Sequence, residues 1–170
     1  PYRFDESRAD HAIAFVEQLR HTKGKWASRY GGRDTRIRLE PWQKFHIGSI
    51  FGWRRLDGTR RFRRAYIEVA RKNGKTTEGA AIANYVFFAD RPREEGPEIY
   101  FAATKQEQAA LGWREAQMQI LGHPTLAKLA KVYESKQIIT LRSTKAARMR
   151  PLGRDSKSED GLNPHFALID

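Results

Sequence analysis

The 170 residues suffice for one domain with a proper core, and no apolar run nears the ~18 residues of a membrane-spanning helix. The absence of cysteine excludes a disulfide framework and thiolate metal sites. Lys+Arg total 32 against Asp+Glu 20, a formal charge of +12 and a pI near 10.2, which draws the chain toward nucleic acid or another polyanion.

The N-terminus, Pro1 to Glu6, lacks the apolar core of a signal peptide. Residues 8–21 place Ala9, Ala12, Ile13, Val16 and Leu19 on one face of a helix. A loop rich in Gly and charge follows through Gly31-Gly32. Pro41 suits the first turn of a second helix, which continues apolar through Phe45, Ile47, Ile50 and Phe51 to about Trp53. Six arginines and one acid then fill residues 54–64. Asp57-Gly58 supplies the turn residues of a type I′ hairpin, whose second arm alternates through Arg61, Arg63, Ala65, Ile67 and Val69.

That arm runs into Tyr66–Thr77, which reads Y-I-E-V-A-R-K-N-G-K-T-T. A strand, a basic loop and a helix start in this order form a phosphate-binding loop: backbone N–H groups and the positive helix end face a polyphosphate. Lys75 would reach the β- and γ-phosphates of ATP and the Thr76 hydroxyl would ligate Mg²⁺. Val69 stands where the usual pattern has its first Gly. Residues 76–89 are apolar nearly all round, as in a helix buried on most sides.

Residues 98–103 read as a central strand, with Thr104 as N-cap of a helix carrying Ala109, Trp113, Ala116 and Ile120. Gly122-His123-Pro124 ends it, residues 126–132 form a shorter helical stretch, and residues 137–141 and 145–151 read as paired strands. A polar loop, 155–164, leads to Phe166-Ala167-Leu168-Ile169-Asp170. An apolar strand ending in Asp is commonplace alone. About a hundred residues after Gly74-Lys75-Thr76, it becomes the Mg²⁺-holding strand of an ATPase, since a parallel sheet gathers ligand groups at its strands' carboxyl ends. The expected fold is α/β, a P-loop NTPase with a mostly parallel sheet flanked by helices and truncated after this acidic strand. A hydrolytic ATPase also needs a Glu to orient water. Either that Glu follows the last residue of a fragment, the favoured reading, or it lies elsewhere in the chain.

On these residues the chain resembles the N-terminal ATPase domain of the tailed-phage terminase large subunit. The likeness is most specific from Phe51-Gly52-Trp53 through Arg60-Arg61-Phe62 into Ala70-Arg71-Lys72-Asn73-Gly74-Lys75-Thr76, a branch in which the first loop Gly is often absent. Leu39-Glu40-Pro41-Trp42-Gln43 resembles the family's adenine-recognition segment, in which the Gln amide pairs with the base. Ala102-Ala103-Thr104 with Gln108-Ala109, and Asp160 to Pro164 leading to Asp170, resemble later family motifs. The resemblance implies an ATP site of Trp42, Gln43, Arg71, Lys72, Asn73, Gly74, Lys75, Thr76 and Thr77, with Lys75 and Arg71 catalytic and Thr76 and Asp170 binding Mg²⁺. Arg71 sits at a position proposed to act as a finger in cis; Arg142, Arg148, Arg150 and Arg154 are candidates for one acting in trans. It further implies double-stranded DNA, portal protein and small terminase subunit as partners, a homo-oligomeric ring and the host cytoplasm.

By the same resemblance, residues 8–65 form the adenine side and basic hairpin, residues 66–170 form the nucleotide-binding core, and the nuclease domain lies outside the chain. Arg54, Arg55, Arg60 and Arg61 are the candidate DNA contacts. Two other readings remain open at this stage: a helicase-like P-loop ATPase, and a basic nucleic-acid-binding module without enzymatic activity.

Overall fold

The fold is built around one helix that is buried almost throughout. Residues 75–88 contain neither Pro nor a charged side chain between Gly79 and Phe88, and they form α3 (Lys75–Phe88), with Glu78 to Phe87 all buried. The computed structural model describes residues 1–28, 30, 34–153 and 161–169. Asp170, Asp160, Arg154 and Gly31-Gly32 lie outside the described residues.

Ahead of α3 come β1 (Tyr2–Phe4), α1 (Glu6–Gln18), α2 (Pro41–Gly52) and β2 (Trp53–Arg55). Asp5 caps α1 by accepting from the Arg8 backbone N–H at 3.1 Å, and Pro41 occupies the first turn of α2. After α3 follow β3 (Glu98–Ala102), α4 (Gln106–Leu121), α5 (Pro124–Leu129), β4 (Ala130–Tyr133), β5 (Ile138–Leu141), β6 (Arg148–Leu152) and β7 (Pro164–Ile169). The main sheet has the order β4-β5-β6-β3-β7. It is mixed: β3 runs parallel to both β6 and β7, whereas β5 is antiparallel to β4 and β6. The parallel half carries the helices, with α3 over β7 and β3, and α4 over β3 and β6. Helix α1 packs on α2 and α3 as an outer layer.

Polar side chains lock α3 to α4 inside this core. Asn84 donates to the Ala116 carbonyl (3.2 Å) and to Gln119 Oε1 (3.0 Å), while Gln119 Nε2 donates to the Thr77 carbonyl (3.0 Å). The two amide NH₂ groups thereby keep partners that water would otherwise supply, while the buried Asn84 Oδ1 has none among the described residues. Two glycines permit close approach. A Cβ on Gly112 would lie 2.6 Å from Phe101, and one on Gly79 would lie 2.7 Å from Leu168 Cδ2. The second contact seats the first turns of α3 directly on the end of β7.

Five sequence expectations change. Tyr66–Val69 is not a strand in the sheet: Ile67 and Val69 are half-buried and their neighbours exposed, so the alternation fixes a face without a pairing partner. The arginine-rich hairpin is only a tip, bridged at Arg54 and Arg60, and β2 pairs instead with β1. Its turn is not type I′, which needs positive φ at both central residues; here Gly58 alone has it (φ 82), and Gly58 N–H bonds to the Arg55 carbonyl while Arg55 N–H bonds to that of Thr59. Residues 126–132 divide between the end of α5 and strand β4, because β5 offers Ala130–Tyr133 an antiparallel ladder. The N-cap of α4 is Lys105, one residue beyond Thr104.

Candidate nucleotide site

The loop that ends at α3 turns twice into the left-handed region, at Lys72 (φ 69) and at Gly74 (φ 78). Gly74 tolerates this because it has no Cβ, and as N-cap it leaves the helix without a side-chain cap. The N–H groups of Lys75, Thr76 and Thr77 therefore begin α3 with no intrahelical acceptor, and the first helical bond is Glu78 N–H to the Gly74 carbonyl at 2.9 Å. Asn73 braces the turn by donating from Nδ2 to the Ala70 carbonyl at 3.1 Å. Arg71 to Thr76 are exposed. Three cations, open amides and a helix N-terminus thus share one surface, an arrangement suited to a polyphosphate.

Thr76 is exposed at the second helical position, while the Thr77 hydroxyl turns inward to Glu115 Oε1 at 3.4 Å. Glu115, buried on α4, also accepts from the Thr22 hydroxyl at 2.7 Å and lies 3.8 Å from Lys23 Nζ. This carboxylate ties the chain after α1 to the base of the loop. Val69, at the position where the common loop pattern has Gly, is half-buried, as is Ile67.

From the other side, α2 brings Gln43 to the loop. Gln43 Oε1 accepts from the Glu40 backbone N–H at 3.0 Å, and Gln43 Nε2 donates to Glu78 Oε2 at 3.2 Å. That nitrogen lies 4.0 Å from where a Cβ on Gly74 would be. Glu78 is 5% exposed, and its second oxygen faces His46 Nδ1 at 3.6 Å. Burial pushes the Glu78 carboxyl above its ordinary range, against the hydrogen bond from Gln43 and the charge of His46. Trp42 meets the His46 ring edge-on, with centroids 5.4 Å apart. Sequence reasoning missed Glu78, His46 and Glu115. One signal was available: Glu78 is the single acid in an otherwise apolar helix.

The arginine cluster separates into distinct roles. Arg54 is 3% exposed and is not a surface contact: Nε donates to the Phe51 carbonyl (2.9 Å), and Nη1 to those of Gly58 and Arg91 (3.4 Å each). Burial pushes its pKa below the ordinary guanidinium value, opposed by Asp90 3.8 Å away. Arg60 leans on the same carboxylate at 3.8 Å. Arg61 lies over the rings of Tyr2, Trp53 and Phe62 at 4.4, 5.3 and 5.0 Å. Arg55, Arg63 and Arg64 are exposed. Of the candidates for a trans-acting arginine, Arg142 is exposed, Arg148 pairs with Glu98 at 3.3 Å, and Arg150 lies over the Tyr100 ring at 5.5 Å.

A loop of this form, opening a buried helix seated on parallel strands, defines a P-loop α/β nucleotide-binding domain. Comparison with known proteins is specific. The family model for the terminase large subunit, ATPase domain, matches residues 41–170. No curated protein matches. The crystal structure of the HK97 bacteriophage large terminase superposes with a TM-score of 0.73 at 25% identity, over 96% of this chain and 31% of that one. The chain thus spans just under a third of that terminase. It belongs to the terminase large subunit ATPase-domain family. Among the described residues no helix is long and apolar enough to cross a membrane.

Proposed function

We propose that this domain binds and hydrolyses ATP with Mg²⁺ and drives double-stranded DNA into a viral procapsid as part of a motor ring. The observation that carries the reading is the seat of α3: Gly79, one turn beyond Lys75, lies against Leu168, two residues before Asp170. This contact supports reading the start of α3 as neighbouring the carboxyl end of β7, where a parallel sheet gathers its ligand groups.

Lys75 and the amides of the first helical turn hold the β- and γ-phosphates, with Arg71, Lys72 and Asn73 shaping the loop above them. A planar guanidinium at Arg71 can follow charge onto the leaving oxygens. Thr76 and Asp170 are hard oxygen donors of the kind that suits Mg²⁺, which when bound neutralises charge between the phosphates. Trp42 and Gln43 form the base side. In this reading portal protein and a small terminase subunit are its partners in the host cytoplasm.

The DNA surface we assign to Arg55, Arg63 and Arg64, with Arg61 held beside them by aromatic rings. Such a surface reads phosphate charge and not base sequence. Reversing Arg55, Arg63 and Arg64 to Glu is expected to weaken binding of a short duplex, followed by fluorescence anisotropy, and to flatten its salt dependence. Unchanged affinity and salt dependence would move the DNA contact elsewhere on the protein.

A further inference from the structure

Resting on the reading of Gln43 as the adenine contact, we propose that Glu78 is a specificity-positioning residue: it fixes the flip of the Gln43 amide so that the site accepts adenine and rejects guanine. A Gln side chain has two N–H donors and two acceptor lone pairs. Here one donor is taken by Glu78 Oε2 (3.2 Å) and one lone pair by the Glu40 N–H (3.0 Å). Those two partners permit only one flip. The reverse flip would set the amide oxygen against the carboxylate and the NH₂ group against a backbone N–H.

One donor and one acceptor remain on the amide. Adenine offers the complement, an N6–H donor beside the N7 acceptor, whereas guanine offers two acceptors, O6 and N7. A free amide could turn to suit other edges; one clamped by Glu78 cannot. The clamp is itself held. Glu78 is buried in the turn that follows Lys75, its backbone N–H bonds to Gly74, and its other oxygen faces His46 from α2 at 3.6 Å. The phosphate loop and the base-reading helix are thereby joined through one carboxylate.

The test is displacement of a fluorescent ATP analogue by ATP, by GTP and by inorganic tripolyphosphate, which has no base. Wild type is expected to prefer ATP over GTP by roughly tenfold or more. Glu78→Leu should lose most of that preference, read as the ratio of ATP to GTP displacement with tripolyphosphate as the base-free reference for each variant, while Glu78→Gln, which keeps an acceptor for Gln43, should retain it. If Glu78→Leu fails to fold, Glu78→Asp decides, since one methylene less withdraws the acceptor from Gln43 and should also erode the preference. Full ATP preference in Glu78→Leu, or in Glu78→Asp where that variant decides, overturns the proposal. Full preference in Gln43→Ala overturns instead the reading it rests on, by removing Gln43 from the base contact.

Discussion

Arg54 and Arg55 are neighbours in sequence with opposite predicted roles, and replacing each with Met tests the division. Met preserves most of the buried alkyl stem of Arg54, so packing is roughly kept while the guanidinium is lost. The loss removes the 2.9 Å bond to the Phe51 carbonyl and two longer ones at 3.4 Å, and takes one of two cations from the buried Asp90. A hydrogen bond to a charged group contributes about 1.5–3 kcal/mol, and removing one member of a buried pair costs about 3–5 kcal/mol. Arg60 remains beside Asp90, so the low end, about 3 kcal/mol, is expected. For a chain of this size that lowers the melting temperature by roughly 6–12 °C. Arg55→Met should shift stability by less than about 0.5 kcal/mol, while weakening duplex binding and reducing its salt slope by about one. Urea unfolding and anisotropy measured on both variants decide the matter. If Arg54→Met unfolds within about 0.5 kcal/mol of wild type, the assignment of Arg54 as a buried brace is wrong.

Glu98 accepts from Tyr100 Oη (2.7 Å) and the Asn163 N–H (3.0 Å) beside Arg148, joining β3 to the approach of β7. The Tyr100 bond, with those neighbours, holds its carboxyl below the ordinary range, so its contribution is present at neutral pH and lost as pH falls through the lowered value. Glu98→Gln should cost about 1–2 kcal/mol at neutral pH and converge with wild type in acid; parallel urea-unfolding curves across pH would refute this. At the alkaline end, burial holds Tyr85 and Tyr100 up to about 12. Folding therefore keeps both phenols neutral, and stability should fall as pH rises from about 10 through 12, with their phenolate absorbance appearing late. Titration of all tyrosines near 10 before unfolding would contradict the burial of these two.

Much of the site was legible because local chemistry dictates it. A left-handed turn before a helix calls for Gly, the open amides follow from helix geometry, and the charge-free, largely apolar run after Glu78 demands a buried helix. What stayed hidden depends on partners distant in sequence. Six arginines read as one basic surface until Asp90 and three carbonyls draw Arg54 inside. The Ile67–Val69 alternation corresponds to two half-buried side chains but could not name a neighbouring strand. Ala130–Tyr133 is too short to distinguish helix from strand until β5 lies alongside. Glu78 announced itself as an acid in an apolar helix, yet its role is visible only when α2 brings Gln43 and His46 to it.

Equilibrium binding of Mg·ATP to wild type and to Lys75→Ala tests the nucleotide site most directly. Lys75 stands at the first position of α3 among open amides, and contacts to two phosphates at about 1.5–3 kcal/mol each predict a loss of at least ~100-fold in affinity. A folded Lys75→Ala protein that binds Mg·ATP as tightly as wild type would contradict the account.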